Sequence, residues 1–144
     1  VEHRWVEELN AMNAMFVWQR DGRTVLSTPP LSGTILEGVT RDSLLELARQ
    51  QGGDIGIDEV LEEPTSIEAV RAGIEAGELR EMFACGTAAV IVPVGRLIDG
   101  DVARTVGDGE PGATTMALRS ALLDIQYGRS TDTRGWMRTI EPVG

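Results

Sequence analysis

The sequence predicts an α+β domain with a mixed β-sheet, and three observations support this fold class. The chain has 144 residues, which suits a single domain over residues 1–144. Segments with the apolar period of strands and segments with the period of helices both occur. They do not alternate strictly, as they would in a doubly wound parallel sheet. We therefore expect one sheet that contains strands of both directions.

The first part of the chain is predicted to be rich in strands. Aromatic and β-branched residues predict strands over residues 5–9 and 15–20. Asp21-Gly22 predicts a hairpin turn into a third strand over residues 24–27. Two prolines end that strand, and a loop with two glycines follows over residues 31–38.

The middle of the chain begins with a predicted helix. This helix starts at Val39 or Thr40 and runs to about Gln51, where Gly52-Gly53 is expected to stop it. Alternating apolar residues then predict a half-buried strand over residues 55–61.

A second helix is marked by signals at both of its ends. Ser66 is placed to cap a helix over residues 67–76, and Gly77 is placed to end it. Strands are predicted over residues 79–84 and 88–94. The second of these strands is nearly continuous in apolar residues, so we expect it to be buried on both faces.

The last part of the chain is predicted to end in a helix. Asp99-Gly100 marks a turn, and residues 107–112 are predicted to form a loop. The final helix runs from about residue 114 to residue 127, and Gly128 ends it.

Composition narrows the classes of partner. The net charge of −10 disfavours nucleic acid and anionic lipid, and no apolar run approaches the roughly 20 residues that span a bilayer. The single cysteine, Cys85, cannot form an internal disulfide or a cysteine-based zinc site, so a cytoplasmic location is expected. The single histidine, His3, has no partner motif, and we expect no metal site.

The sequence contains no lysine, because all thirteen basic residues are arginine. Arginine stays protonated and cannot serve as a Schiff-base amine or general base in the way that lysine can. Any step that needs a lysine therefore requires a group from outside these residues. The chain also starts with Val-Glu-His-Arg and has no initiating methionine, from which we expect it to be part of a longer protein.

The first candidate site is Glu37-Gly38-Val39-Thr40, at the start of the first predicted helix. Unpaired backbone N–H groups and the positive end of the helix dipole favour a phosphate there. Gly38 would let a ligand approach the main chain closely, and Thr40 adds a hydroxyl group. A plain glycine turn with a threonine cap is the alternative.

Two further candidates are a small-residue turn and a pair of carboxylates. Gly86-Thr87-Ala88-Ala89 lies between two predicted strands, where small side chains leave room for a ligand and Thr87 could bind an anion. A tight turn chosen for packing is the alternative. Glu7-Glu8 lies in an apolar strand, so alternation sends one carboxylate inward, where it needs a partner. Alternatively, both lie in water near the strand end.

Taken together, these stretches resemble the branched-chain amino-acid aminotransferases, which belong to the class IV group of pyridoxal-phosphate enzymes. The resemblance covers about residues 3–141 and implies the pseudo-barrel-like, mixed-sheet C-terminal large domain of that fold. The matching stretches are residues 7–13 (EELNAMN), 28–41 (TPPLSGTILEGVTR), 80–88 (REMFACGTA) and 124–128 (DIQYG).

The resemblance implies a role for each candidate. Glu8 would bond the pyridine nitrogen of pyridoxal 5'-phosphate, and Leu36 would pack on its ring. Backbone N–H groups at the helix start would hold the phosphate, and the turn at Thr87-Ala88 would supply N–H groups to the substrate carboxylate. The implied cofactor-binding residues are Glu8, Leu36, Gly38, Val39, Thr40, Gly86 and Thr87, and the implied substrate-binding residues are Thr87 and Ala88.

The resemblance also implies what the chain needs from elsewhere. In the family, the catalytic lysine lies upstream of the glutamate motif, in a stretch absent here, and the small N-terminal domain is absent as well. We expect the complete protein to be a homodimer that transfers an amino group between leucine, isoleucine or valine and 2-oxoglutarate, and this chain to be inactive alone. The alternatives are a D-amino-acid aminotransferase or aminodeoxychorismate lyase of the same fold, and a non-catalytic truncated binding module.

Overall fold

A computed structural model describes residues 4–142, so His3 lies outside the described residues. A six-stranded sheet has the order β4-β3-β2-β5-β6, with β1 paired to β2, and a separate two-stranded sheet pairs β7 with β8. The strands are β1 (Glu8–Leu9), β2 (Met12–Arg20), β3 (Arg23–Thr28), β4 (Glu59–Glu62), β5 (Leu79–Gly86), β6 (Val90–Pro93), β7 (Arg96–Asp99) and β8 (Val102–Thr105). The helices are α1 (Val39–Ile55), α2 (Ile67–Ala76) and α3 (Ala113–Gln126).

The main sheet is mixed, as the sequence predicted. Strands β3 and β4 run parallel, and the other pairs are antiparallel. A parallel pair needs a crossover, and α1 supplies it between β3 and β4. The α+β fold class is therefore confirmed.

Both faces of the main sheet are covered, and the central strand β2 shows this directly. On one face, Met15 and Val17 pack with residues of α1 and α3. On the opposite face, Ala14, Phe16 and Trp18 pack in a second cluster that includes residues of α2. Successive side chains of a strand point to opposite faces, so a strand between two layers is apolar throughout. Residue 13 therefore belongs to the face that α1 covers.

The first helix is longer than predicted. Val39 begins it as expected, but Gly52-Gly53 does not stop it, and it ends at Gly56 in the left-handed conformation (φ 85°). The N–H of Ile57 bonds to the carbonyl of Gly52 at 2.7 Å, so the chain folds back over this helix end. This packing requires a glycine at position 52, because a Cβ there would lie 2.8 Å from the Ile57 carbonyl oxygen.

Two predicted strands are shorter than expected. The strand predicted over residues 5–9 is reduced to β1, because Trp5 forms only an isolated bridge with Ser66. The strand predicted over residues 55–61 is reduced to β4, because the helix extends to residue 55. In the second case the apolar pattern was present, but α1 took the first residue.

The prediction for residues 88–94 was wrong in burial. Strand β6 is an edge strand, in which only Ile91 is buried and Val92 is exposed. The hairpin formed by β7 and β8 was not predicted as strands, although its turn at Asp99-Gly100 was. Its four-residue strands are too short for a clear alternation.

The ends of α2 and α3 follow the predicted signals. The Ser66 hydroxyl accepts the N–H of Ala69 at 3.0 Å, and Gly77 ends α2 in the left-handed conformation. Gly128 follows α3 in the same conformation (φ 68°). No helix in the described range 4–142 is long and apolar enough to cross a membrane.

The start of α3 is held by a carboxylate from the sheet. Glu81 of β5 accepts the N–H of Thr114 at 3.1 Å, and both the N–H and the hydroxyl of Thr115 at 2.7 Å each. Gly112 makes this approach possible, since a Cβ at that position would lie 2.0 Å from the Glu81 Cδ. A negative charge at a helix start is also favoured by the helix dipole.

Replacing Glu81 by alanine should destabilise the fold by about 1–3 kcal/mol, because three donors at the start of α3 lose their acceptor. Glu81→Gln should cost less, since one oxygen remains. Urea unfolding of parent and variants measures both, with the exposed Glu78→Ala as the matched control. Equal stability of Glu81→Ala and Glu78→Ala would contradict this account of the cap.

Candidate functional site

The carboxylate predicted to need a partner has one in the main chain. Glu8 is half-buried, and its Oε1 accepts the N–H of Leu36 at 2.8 Å. Glu7 is exposed, and its Oε1 accepts the hydroxyl of Thr34 at 3.1 Å. The strand end therefore contacts the loop that precedes α1 through both carboxylates, and only Glu8 lies within a strand.

The turn between β1 and β2 has a backbone that few residues adopt. Asn10 and Ala11 have φ of 49° and 61°, in a two-residue hairpin loop that joins the pair Leu9 and Met12. Two central residues with positive φ are typical of a type I′ turn, whose twist matches that of the paired strands. This turn places Glu8 directly opposite Asn13.

Asn13 is a site residue that the sequence reasoning did not single out. It is buried, and its Nδ2 donates to the carbonyl oxygen of Leu36 at 3.0 Å. Its Oδ1 lies where a side chain at position 38 would be, since a Cβ on Gly38 would be 2.3 Å away. Its position in the sequence could have indicated it, because Asn13 lies five residues after Glu8 and faces it across a hairpin.

The start of α1 has the donors that the sequence predicted. Gly38 is the N-cap residue in an extended conformation, and no side chain among the described residues caps this helix. The first bond of the helix runs from the N–H of Asp42 to the Gly38 carbonyl, so the N–H groups of Val39 and Thr40 lie outside the helical ladder. Val39 is 79 % exposed, and a small cleft of about 170 Å³ opens beside it.

Arg41 holds the first turn of α1 to neighbouring parts of the chain. The sequence analysis did not single out this residue either. Its side chain is 2 % exposed, and its Nη2 donates to the Pro29 carbonyl at 3.0 Å and to Glu62 Oε1 at 2.6 Å. Arg49 donates to the other oxygen of Glu62 at 3.0 Å. The Nη2 group is thus committed to this network, and Nε is buried without a hydrogen-bond partner among the described residues. Backbone N–H groups therefore remain as the anion donors at the helix start.

The turn at Gly86-Thr87-Ala88-Ala89 joins β5 to β6. Gly86 pairs with Val90 across this hairpin, and Thr87 and Ala88 are exposed. Val90 has a φ of 58°, which is rare for a β-branched residue and costs on the order of 1–3 kcal/mol. An exposed turn held in this conformation can present its backbone N–H groups to a ligand.

The register of the sheet connects this turn to the other candidates. Asn13 of β2 pairs with Cys85 of β5, so Gly86 follows immediately beyond that pair. A Cβ on Gly86 would lie 3.2 Å from the Met12 side chain, which shows how closely the two strands approach. The structure therefore brings Glu8, Leu36 and Gly38 together through direct contacts, and the Gly86-Thr87 turn through strand pairing.

Cys85 is a packed core residue. It is fully buried in the cluster between the sheet and α1, and this burial raises the pKa of its thiol to about 12. Since the thiolate is the reactive form, Cys85 has no nucleophilic character at neutral pH. No group of three or more metal-binding side chains occurs between residues 4 and 142.

A larger groove of about 600 Å³ lies between α1, α3 and the C-terminal tail, and it shares Val39 with the candidate site. Its lining includes Glu46, Leu122, Trp136 and Met137. Volume alone does not make it the candidate site, because neither Glu8 nor the turn after β5 is part of its lining.

Comparison with known proteins identifies the family of this chain. Residues 2–97 match the family model described as amino-transferase class IV. The chain belongs to this aminotransferase family. A branched-chain-amino-acid aminotransferase of Mycolicibacterium smegmatis is 47 % identical over 95 % of this chain and 36 % of its own length.

Solved structures of this family superimpose on the chain. A branched-chain amino acid aminotransferase from Escherichia coli matches with a TM-score of 0.72 and 34 % identity, over 94 % of this chain and 39 % of that one. The Thermobaculum terrenum enzyme in its PLP form matches with a TM-score of 0.67 and 32 % identity, over 90 % and 36 %. The chain therefore spans little more than a third of the length of these aminotransferases.

The ion pairs of Glu62 with Arg41 and Arg49 should stabilise the protein less in acid than at neutral pH. Hydrogen bonds from Arg41, and then from Arg49, lower the pKa of Glu62 despite partial burial. A carboxylate with a lowered pKa in the folded state stabilises the protein above its unfolded pKa of about 4.3, and this contribution is lost as pH falls through the folded pKa. Glu62→Gln should therefore destabilise the protein at pH 7 and make little difference in strong acid.

Urea unfolding across this pH range measures the effect, with the exposed Glu78→Gln as the matched control. A difference between parent and Glu62→Gln that stays constant from pH 7 down to about pH 3 would contradict the assignment of this ion pair.

Proposed function

We propose that this chain is the C-terminal, cofactor-binding domain of a pyridoxal-phosphate-dependent branched-chain amino-acid aminotransferase. The complete enzyme would transfer the amino group between leucine, isoleucine or valine and 2-oxoglutarate. One observation carries the proposal: Glu8 accepts the N–H of Leu36, which lies three residues before Val39 and the unpaired N–H groups at the start of α1. Relatives that are branched-chain-amino-acid aminotransferases support the choice of amino-acid substrates.

The residues present fit the cofactor. Its phosphate carries negative charge, which suits the backbone N–H groups of Val39 and Thr40 at the helix start. Gly38 has no side chain and lets such a group approach the main chain. A half-buried carboxylate at Glu8 suits a protonated ring nitrogen, because Oε1 bonds Leu36 and Oε2 can accept a second donor.

The chemistry is divided between the cofactor and the chain. When bound, pyridoxal 5'-phosphate supplies the electron-accepting ring on which amino groups are exchanged. Glu8 would keep the proton on the ring nitrogen, and the side chain of Leu36, which is 70 % exposed, would cover the ring. Gly86 would leave room for the phosphate group, and the Thr87 hydroxyl would add a bond to it.

The substrate would meet the exposed turn between β5 and β6. Backbone N–H groups of Thr87 and Ala88 would hold the carboxylate that amino acids and 2-oxo acids share. Such donors fix the orientation of the substrate and leave the choice of its side chain to other groups. Specificity for branched-chain substrates would therefore depend on the rest of the enzyme.

Proton transfer would also depend on the rest of the enzyme. Because the 144 residues include no lysine, we assign the lysine that carries the cofactor and moves the proton to an N-terminal part beyond them. The chain would then belong to the C-terminal domain of a two-domain enzyme. We propose a homodimer in the cytoplasm, and analytical ultracentrifugation of the complete enzyme tests the assembly.

Glu8→Ala in the complete enzyme should lower turnover of leucine with 2-oxoglutarate by about a hundredfold or more, because the ring nitrogen loses its charged partner. Some cofactor should stay bound, since the phosphate donors remain. Glu8→Gln should resemble Glu8→Ala in turnover. Glu75→Gln, an exposed carboxylate on α2, is the control and should keep the parent activity.

The same assay separates the competing functions. A parent enzyme that turns over D-amino acids, or releases product from aminodeoxychorismate, would replace the proposed substrates within the same fold. A complete protein without any cofactor-dependent turnover would identify a binding module instead. Near-parent turnover of Glu8→Ala would overturn the role of that residue alone.

A further inference from the structure

The backbone N–H and the backbone carbonyl of Leu36 are both held by one hairpin. Glu8 accepts its N–H at 2.8 Å, and Asn13 donates to its carbonyl oxygen at 3.0 Å. Glu8 and Asn13 face each other across the β1–β2 pair. The Leu36 side chain is mostly exposed, so the backbone of this residue is fixed by these two side chains more than by its own packing.

Asn13 also contacts the residue that begins the helix. Its Oδ1 occupies the space that a Cβ on Gly38 would need, so the amide packs directly against that backbone. Asn13 thus holds two points of the loop, at Leu36 and at Gly38, on either side of the exposed Glu37. The direction in which the first N–H groups of α1 point depends on this contact.

Strand β2 gives Asn13 a fixed position. It is buried at 6 % exposure, pairs with Cys85 of the neighbouring strand, and lies on the face that α1 covers. Residues that follow it, such as Met15 and Val17, are core residues. An amide on such a rigid strand is suited to position a loop that carries binding groups.

We propose that Asn13 is a positioning residue, which orients the Leu36–Gly38 segment so that the carboxylate of Glu8 and the N–H groups of α1 bind the ring nitrogen and the phosphate of one cofactor molecule. This inference rests on the function proposed above. Without the amide, the Leu36 carbonyl loses its donor, and the peptide unit that joins Leu36 to Glu37 can rotate. That rotation shifts the start of α1 relative to the Leu36 N–H that Glu8 holds. Both binding groups then lose their relative placement.

The test measures binding to the complete enzyme freed of cofactor. Pyridoxamine 5'-phosphate and pyridoxamine are titrated separately, because the ratio of their dissociation constants reports the phosphate contacts at the helix start. In Asn13→Ala the dissociation constant of pyridoxamine 5'-phosphate should rise about tenfold, on the scale of one lost buried hydrogen bond. The preference for the phosphorylated form should fall by about threefold or more.

A matched control separates positioning from stability. Ser27→Ala also removes a buried hydrogen bond, the one its hydroxyl accepts from Trp18 Nε1 at 2.8 Å, but on the opposite face of the sheet. Both variants should lower the melting temperature of the cofactor-free enzyme. Only Asn13→Ala should change the ratio of dissociation constants.

A second variant covers the case in which Asn13→Ala does not fold. Asn13→Asp keeps the shape of the side chain but places an oxygen where the amide donates to Leu36, and it should show the same loss at neutral pH. Parent-like affinity and ratio in either folded variant would overturn the proposal. Failure of both variants to fold, with Ser27→Ala folded, would also overturn it, since Asn13 would then be needed only for folding.

The outcome distinguishes this inference from the proposed function. A parent enzyme that binds pyridoxamine 5'-phosphate and transfers amino groups, with parent-like Asn13 variants, would refute the positioning role alone. A parent enzyme that does not bind pyridoxamine 5'-phosphate would refute the proposed function and this inference with it.

Discussion

Leu36, whose N–H is bonded to Glu8 and whose carbonyl is bonded to Asn13, ties the β1–β2 hairpin to the loop that leads into α1. An exposed loop has many conformations, and fixing each residue costs roughly 1–2 kcal/mol. Here that cost is offset by two hydrogen bonds to a hairpin and by the contact between Asn13 and Gly38. The start of α1 is thereby placed beside a half-buried carboxylate, with Arg41 holding the same turn to the loop entry and to β4.

The main sheet, which is packed on both faces, holds this hairpin in a fixed position. Strand β2 is buried on both faces, so neither Asn13 nor its register with β5 can shift without disturbing two packed layers. A one-residue slip of a strand would exchange its faces and move Asn13 away from α1. The pairing of β2 with β5 also fixes the position of the turn after Gly86. The proposed substrate-binding and cofactor-binding groups are therefore both positioned by β2.

Much of this arrangement was predictable from local signals. The fold class, the start of α1 at Val39, and the caps at Ser66 and Gly77 follow from periodicity and end signals that act within a few residues. The errors share a different cause. Gly52 is retained inside α1 because residue 57 packs against it, and β6 is exposed because it lies at the sheet edge. Asn13 and Arg41 were missed for a related reason, since their partners lie more than ten residues away in sequence.

The central claim is that one cofactor molecule is held between Glu8 and the start of α1, and a crystal structure of the complete enzyme with pyridoxal 5'-phosphate tests it most directly. The account predicts phosphate oxygens about 3 Å from the backbone nitrogens of Val39 and Thr40, with a carboxylate oxygen of Glu8 at hydrogen-bond distance from the ring nitrogen. A phosphate bound elsewhere, for example in the groove between α1 and α3, or a ring nitrogen without Glu8 beside it, would contradict the account.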